Sequence, residues 1–408
     1  MDGSAPYRWL FLDLNSFFAS VEQQENAELR GVPIAVVPVE ADSSFVIAAS
    51  YEAKRYGVKT GTRIGDAKAM CPNLRLIKGN HKVYVRYHDR ILEAVESVAP
   101  IDSVCSIDEL RVRLLKSEAS EEASRQVALR IKRAIRDAVG PCLTSSIGLA
   151  PNPFLAKLAT ELQKPDGLVH LLPEDLPERL CGLKLTDLPG INRRLAVRLN
   201  LAGIFTTAHL LAADQRTLRR AFGGVLGARW WHLLRGHDIP DPAGPRRSLS
   251  NSHVLPPEFR SRDGAYKVML RLIEKATARL RSEGLTSRRV HYSIRCRSGD
   301  WEAEAILPPT SDTVQVFEAF RDLYRKGVIE APHQVAVTFS DLTPRAEVPR
   351  SLFESNDSRE RLCRAIDEIN RKYGKHTVLP AGLVQAEHTA EERIAFSKTS
   401  LFDEGSAA

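Results

Sequence analysis

Three acidic residues carry the first chemical signal in this chain of 408 residues. Asp13 closes the apolar run Trp9-Leu10-Phe11-Leu12, and Asp108-Glu109 follows directly on the apolar-leaning stretch Ile101–Ile107. Carboxylates at the ends of two buried strands can converge on one point although they lie far apart in sequence. Three acidic oxygen donors at one point suit a hard divalent cation such as Mg²⁺, and two such ions can drive in-line phosphoryl transfer. Taken alone, an adjacent Asp-Glu pair is more often the mark of a solvated turn. The elements that must position the three residues decide between these.

Tyr7–Leu14 reads as a strand and Ser16–Gln24 as a helix entered through a polar cap at Asn15 or Ser16. Pro33–Pro38 and Phe45–Ser50 are short β-rich runs, and Tyr51–Tyr56 is a brief helix ending at Gly57. Apolar positions recur at helical spacing from His81 to Val98. Ile101–Ile107 and Val112–Leu115 predict a hairpin with Asp108-Glu109 near its connection. A helix over Ser117–Val139, a strand over Leu143–Leu149 and a helix over Pro153–Gln163 follow. Two strand-helix-strand passages in one region predict a small sheet covered by helices, an α+β arrangement.

Residues 172–236 predict short helices separated by Gly and Pro. Within them Leu188-Pro189-Gly190-Ile191-Asn192 resembles the turn of a helix-hairpin-helix, which presents backbone N–H groups to DNA phosphates. Asn192 stands where that motif has a second Gly, and Asn is the next-best residue for a left-handed backbone. An ordinary αα turn fits the same stretch. The Pro- and Gly-rich stretch Gly236–Ser248 predicts an extended, weakly packed linker. The order after it is strand, helix, strand, strand, helix, strand. In the second of these strands Val290, Tyr292, Ile294 and Cys296 alternate with Arg289, His291, Ser293, Arg295 and Arg297. A period of two lets one face pack on helices while the other offers arginines, with Arg246 and Arg247 nearby in sequence. A helix at Arg359–Tyr373 and a polar tail expected to be mobile complete the chain.

The length implies two to four domains. No apolar run approaches the ~20 residues needed to span a bilayer, and no secretory leader is recognisable. Six cysteines are scattered without a C-x-x-C pair, which predicts a reduced, cytoplasmic compartment and no structural zinc. The net charge of +7 is compatible with nucleic acid as partner.

At this point the chain resembles the Y-family, or translesion, DNA polymerases over roughly residues 7 to 345. Leu12-Asp13-Leu14-Asn15-Ser16-Phe17-Phe18 is similar to the family's first metal motif, and Ser106-Ile107-Asp108-Glu109 to its second. Ala49-Ser50-Tyr51-Glu52-Ala53-Lys54-Arg55 resembles its nucleotide-binding segment. Ser146-Ile147-Gly148-Leu149-Ala150-Pro151-Asn152, Leu155-Ala156-Lys157-Leu158-Ala159 and Lys164-Pro165-Asp166-Gly167 close its palm, and Pro189-Gly190-Ile191 falls at its thumb turn.

The resemblance implies a right-hand polymerase with a ferredoxin-like palm (1–18 and 80–171), fingers (19–79), a helix-hairpin-helix thumb (172–236), a linker (237–248), a β-α-β-β-α-β little finger (249–345) and a C-terminal helix and tail (346–408). It implies two Mg²⁺ ions held by Asp13, Asp108, Glu109 and the Leu14 carbonyl. It further implies triphosphate contacts by Tyr51, Lys54, Arg55 and Lys164, and a steric gate against ribonucleotides at Phe18. DNA contacts are expected at Gly190, Asn192, Arg246, Arg247, Arg289, Arg295 and Arg297. The implied enzyme is a monomer acting on primer-template DNA and dNTPs.

Three positions depart from the family pattern. Lys54 stands where an Arg is usual, Arg111 and Arg113 follow the second metal motif, and Asn15 replaces a second Asp. Added cations beside a metal site could compete with the ions. In the tail, Leu401-Phe402 and the earlier Leu352-Phe353 resemble the Leu-Phe end of sliding-clamp peptides, without the Gln that opens that motif. The departures and the tail together support an alternative: a non-catalytic accessory that binds DNA and recruits a partner polymerase or clamp.

Overall fold

A computed structural model of the protein describes residues 6–40, 42, 44–241, 247–297, 299–349, 357–374, 377–386 and 389. It divides into two compact units, Met1–Asp241 and Pro242–Arg393.

The first unit is built on β1 (Trp9–Leu14), buried along its whole length. After α1 (Phe17–Glu25) comes a small three-stranded sheet. It is formed by β2 (Ile34–Val37), β3 (Ala48–Ala49) and β4 (Arg75–Lys78) in the order β3-β2-β4, with α2 (Tyr51–Lys54) and α3 (Ile64–Met70) between β3 and β4. The chain returns through α4 (His81–Glu96), β5 (Ile101–Val104), β6 (Glu109–Arg113), α5 (Glu121–Ala138), β7 (Ser145–Ala150), α6 (Pro153–Leu162) and β8 (Leu168–His170). The main sheet has the order β5-β6-β1-β7-β8. Its first four strands follow ferredoxin-like topology, and β8 adds a fifth, parallel to β7.

Strand alternation sorts β1 into two faces. Leu10, Leu12 and Leu14 join the core under α4 and α5, whereas Trp9 and Phe11 join the core under α6. Asp13 therefore lies on the α6 side. The α6 core continues into the short helices α7 (Leu176–Arg179), α8 (Arg193–Leu201), α9 (Thr207–Ala212), α10 (Gln215–Phe222) and α11 (Val225–Leu233).

Several local expectations change. The second hairpin strand starts at Glu109 rather than after it, so Glu109 is a strand residue facing Asp13. Helix α3 and strand β4 have no counterpart in the sequence pattern. The four residues of β4 offer only Leu76 and Ile77 as apolar signal, between Arg75 and Lys78. Ser16 precedes α1 in a left-handed conformation and makes no side-chain cap bond. Residues 237–241, assigned to a weakly packed linker, are fastened to the first unit. Asn152 Nδ2 donates to the His237 carbonyl at 3.2 Å, Arg8 reaches Asp238 at 3.8 Å, and Arg111 and Arg229 hold Asp241 at 2.6 and 2.7 Å.

The second unit runs β9 (Ser248–Val254), α12 (Arg262–Ser282), β10 (Leu285–Cys296), β11 (Trp301–Thr310), α13 (Thr313–Lys326) and β12 (Pro332–Pro344). This is the expected β-α-β-β-α-β succession, but the strand order is β11-β10-β12-β9, a different arrangement from the first unit's. Tyr292, Phe320 and Phe339 are fully buried at its centre. The unit extends beyond residue 345. Helix α14 (Asp357–Tyr373) is clamped to α12 by the fork of Arg281 on Asp367, at 2.6 and 2.8 Å, and Leu383 packs into the core. Among the described residues no helix is long and apolar enough to cross a membrane.

Candidate active site

Strand pairing assembles the site. Asp13 and Glu109 are register partners across β1 and β6. Directly opposed like charges are unfavourable in a sheet, so a cation must stand between them. Asp108 immediately precedes Glu109, and its carbonyl accepts the Leu14 N–H at 2.9 Å, which locks the ends of the two strands together. The Asp108 carboxylate accepts from the Ser106 hydroxyl at 2.5 Å.

The cations come from α6 and the loop after it. Lys157 Nζ lies 2.5 Å from Asp13 Oδ2, 2.7 Å from Glu109 Oε1 and 2.9 Å from Glu161 Oε1. Lys164 Nζ lies 2.8 Å from Asp13 Oδ1 and 3.0 Å from Glu161 Oε1. Helix α6 reaches this close because Gly148 on β7 carries no Cβ; one placed there would collide with the Ala156 carbonyl. Asn15 fixes the Lys164 loop. Its Oδ1 accepts from the Asp166 N–H at 2.8 Å and its Nδ2 donates to Ser146 Oγ at 3.0 Å. The amide at this position thus has a positioning task that a second carboxylate, with no N–H to donate, could not perform in full.

Burial pushes the Asp13 carboxyl up, but Lys157 and Lys164 outweigh it and hold the group below the usual range. Burial, reinforced by Asp13, raises Asp108 despite the Ser106 hydrogen bond. Glu109 is also raised by burial, against the pull of Lys157. Lys157 loses water on burial yet is held well above the ordinary lysine range by Asp13, Glu109 and Glu161.

The donor chemistry suits hard divalent ions: carboxylate oxygens converge, and positive charge is already drawn among them. With the side chains as they stand, no group of three or more acidic, His or Cys residues is arranged around a metal position among the described residues. Lys157 fills the centre instead.

The nucleotide-side residues divide. Tyr51 opens α2, and burial together with nearby Asp13 pushes its hydroxyl up to about 12, so it remains a hydrogen-bond donor. Lys54 Nζ lies 4.4 Å from the Tyr51 ring centroid. Arg55 is exposed, at the end of α2. Phe18 is buried and stacked on Tyr84 at 4.4 Å between centroids, and the Tyr84 hydroxyl donates to Glu22 at 2.6 Å.

The two arginines expected to trouble the metal site are otherwise engaged. Arg111 and Arg113 share the Glu109 face of β6, but both lie over the Trp9 ring. Arg111 also pairs with Asp102 at 2.8 Å and Asp241 at 2.6 Å.

In the expected DNA-contact regions, Gly190 has φ +90° and packs against Trp230. Asn192 corrects the sequence expectation: its φ is −85°, and it caps α8 by accepting the Leu195 N–H at 2.9 Å. Asn is there for its side-chain oxygen, not for a left-handed backbone. The segment before the turn, Leu185–Asp187, is a single 3₁₀ turn rather than a full helix.

On β10, Val290, Tyr292, Ile294 and Cys296 are buried as the alternation predicts. The opposite face is less basic than the single strand suggests, because Arg289 pairs with Glu304 at 2.6 Å and His291 lies 3.8 Å from Glu302. Arg295 is exposed on the strand, Arg297 is exposed just beyond its end, and Arg247 is exposed before β9. Arg246, Leu352, Phe353, Leu401 and Phe402 lie outside the described residues.

Lys157 and Glu161 are the residues that sequence reasoning left without a role. The signal was available in part: Lys157 and Glu161 are spaced i, i+4 on one face of a helix, and Lys164 follows just beyond its end.

The fold agrees with comparisons to known proteins. The model of the impB/mucB/samB family matches residues 12–161, and that of its C-terminal domain matches residues 246–352. The DNA polymerase IV of Moorella thermoacetica is 34% identical over 380 residues, covering 90% of this chain and 94% of the relative. The DNA polymerase IV 1 of Bacillus subtilis is 27% identical, covering 96% and 97%. Among solved structures, a Y-family DNA polymerase chimera, Dbh-Dpo4(243-245)-Dbh, is similar with a TM-score of 0.68 and 25% identity, covering 82% of this chain and 98% of that one.

Proposed function

The chain belongs to the impB/mucB/samB family, the Y-family DNA polymerases, and on that premise we propose that Asp13, Asp108 and Glu109 form the two-metal centre of its nucleotidyl transfer. The protein is a template-directed DNA polymerase of the translesion class, a metal-dependent nucleotidyltransferase acting on primer-template DNA and deoxynucleoside triphosphates. The observation that carries the site assignment is the convergence of Asp13 and Glu109 on one cationic position, with Asp108 beside them.

Asp13, Asp108, Glu109 and the Leu14 carbonyl hold two Mg²⁺ ions. When bound, such ions supply Lewis-acid activation of the primer 3′-hydroxyl and neutralise charge on the triphosphate. Lys164 binds the triphosphate as a point charge, and Tyr51 donates its hydroxyl. Lys54 adds a second point charge without the bidentate grip of an arginine. Phe18 occupies the space of a ribose 2′-hydroxyl, with Tyr84 stacked behind it. Residues 1–18 and 80–171 serve as palm, 19–79 as fingers, 172–236 as thumb and 249–345 as little finger. The Gly190 turn and exposed Arg247, Arg295 and Arg297 meet DNA phosphates. The enzyme works as a cytoplasmic monomer. Its six free cysteines fit a reducing compartment, and Leu401-Phe402 is a candidate contact for a sliding clamp.

Primer extension on undamaged and abasic templates tests this. Extension is expected with Mg²⁺ and to vanish on chelation by EDTA. Tight primer-template binding with no extension would instead favour the accessory function. Phe18→Ala is expected to raise ribonucleotide incorporation relative to deoxynucleotide by about 10–100-fold, the size of a lost steric exclusion. Unchanged relative kcat/KM values for the two nucleotides would remove Phe18 from the gate.

A further inference from the structure

Lys157 has a second environment available. With Glu161 it lines an open cleft of about 420 Å³ that Thr186, Asp187 and Asn192 also line. It therefore sits on the boundary between the carboxylate cluster and an open space in the same unit. We propose that Lys157 is a resident counter-ion of the unloaded enzyme, held between Asp13 and Glu109 until metal enters, and is then displaced into this cleft. The proposal rests on the assignment of the three carboxylates as metal ligands.

Electrostatics requires the exchange. An ammonium 2.5 Å from Asp13 and 2.7 Å from Glu109 occupies the space in which a divalent ion would share those oxygens. Two like charges a few ångströms apart in a partly buried site repel strongly. The displaced ammonium does not become an unpaired buried charge. Glu161, one helical turn along α6, already accepts from it at 2.9 Å and also faces the cleft, as does Asp187. The cleft has room for an ammonium and several waters.

Lys157 thus holds the two opposed carboxylates in place while no metal is bound and opposes metal binding by the free enzyme. A purely structural lysine would do only the first. Lys164, which shares Glu161, is left to follow the triphosphate.

The test is Mn²⁺ titration of the full-length, DNA-free protein, read by electron spin resonance, for wild type, Lys157→Met and Asp108→Asn. Lys157→Met is expected to bind Mn²⁺ about tenfold more tightly or better, while its metal-free form melts below wild type because the carboxylates have lost their counter-ion. Equal or weaker Mn²⁺ binding by Lys157→Met overturns the counter-ion proposal. Binding that is indifferent to Asp108→Asn overturns the metal-site assignment itself, so the two failures are distinguishable. Should Lys157→Met not fold, amine labelling of the wild type followed by mass spectrometry decides. Lys157 is expected to react slowly without Mn²⁺ and faster with it, and an unchanged rate overturns the proposal.

Discussion

Asp108→Asn is expected to lower primer extension by about 10³-fold or more, equivalent to ~4 kcal/mol of lost transition-state stabilisation, while leaving the fold intact. The substitution keeps the size and shape of the side chain and still lets the Ser106 hydroxyl donate to an oxygen. It removes a charge that burial and Asp13 already disfavour, so thermal stability should be unchanged or slightly raised. Lys157 bridges Asp13 and Glu109, which are untouched, so the cluster keeps its arrangement. A loss of extension with retained melting temperature and primer-template binding therefore reports lost metal chemistry rather than lost structure. Equal extension by variant and wild type would remove Asp108 from the catalytic centre.

The second large effect is expected from a residue with no chemistry. Gly148 on β7 lets α6 lie directly on the sheet, and an added Cβ would strike the backbone carbonyl of Ala156 and the methyl of Ala159. Backbone cannot swing aside as a long side chain can, so Gly148→Ala must push α6 outward. Overpacking of this kind costs about 1–3 kcal/mol, a fall of roughly 2–12 °C in the melting temperature for a unit of this size. Ala156 adjoins Lys157, so the shift also displaces Lys157 and Glu161 from the carboxylates. Extension is expected to fall by about tenfold or more at temperatures where the variant is fully folded. A variant with wild-type stability and activity would show that α6 accommodates the methyl and that its closeness to the sheet is not required.

What could be read from the chain alone was whatever had a local period. The alternation of Val290, Tyr292, Ile294 and Cys296 identified a half-buried strand, and all four side chains are buried. The apolar run around β1 identified a strand covered on both faces. Pairing was legible only in the hairpin of β5 and β6, because no local pattern specifies which more distant strands lie side by side. Hence the β-α-β-β-α-β succession of the second unit was legible while its strand order β11-β10-β12-β9 was not.

Charges were misjudged for a related reason. Arg111 stands two residues from Glu109 in sequence, yet besides Asp102 on the neighbouring strand it pairs with Asp241, 130 residues away, which nothing near Arg111 announces. The cations that do meet the carboxylates, Lys157 and Lys164, lie 144 and 151 residues from Asp13. Asn192 shows the opposite error. Its residue type allowed two roles, left-handed backbone or helix cap, and only its φ separates them.

The central position of β1 has a consequence for how the protein is made. The strand bearing Asp13 is synthesised before its neighbours: in the finished sheet it is flanked by β6 and β7, both translated long after it. Lys164 lies 151 residues downstream. At about 5–20 residues per second, the ribosome needs roughly 8–30 s to cover that distance. During that time Asp13 belongs to a nascent chain whose strand partners and counter-charges do not all exist. A message truncated before codon 164 therefore yields a chain without the complete cluster.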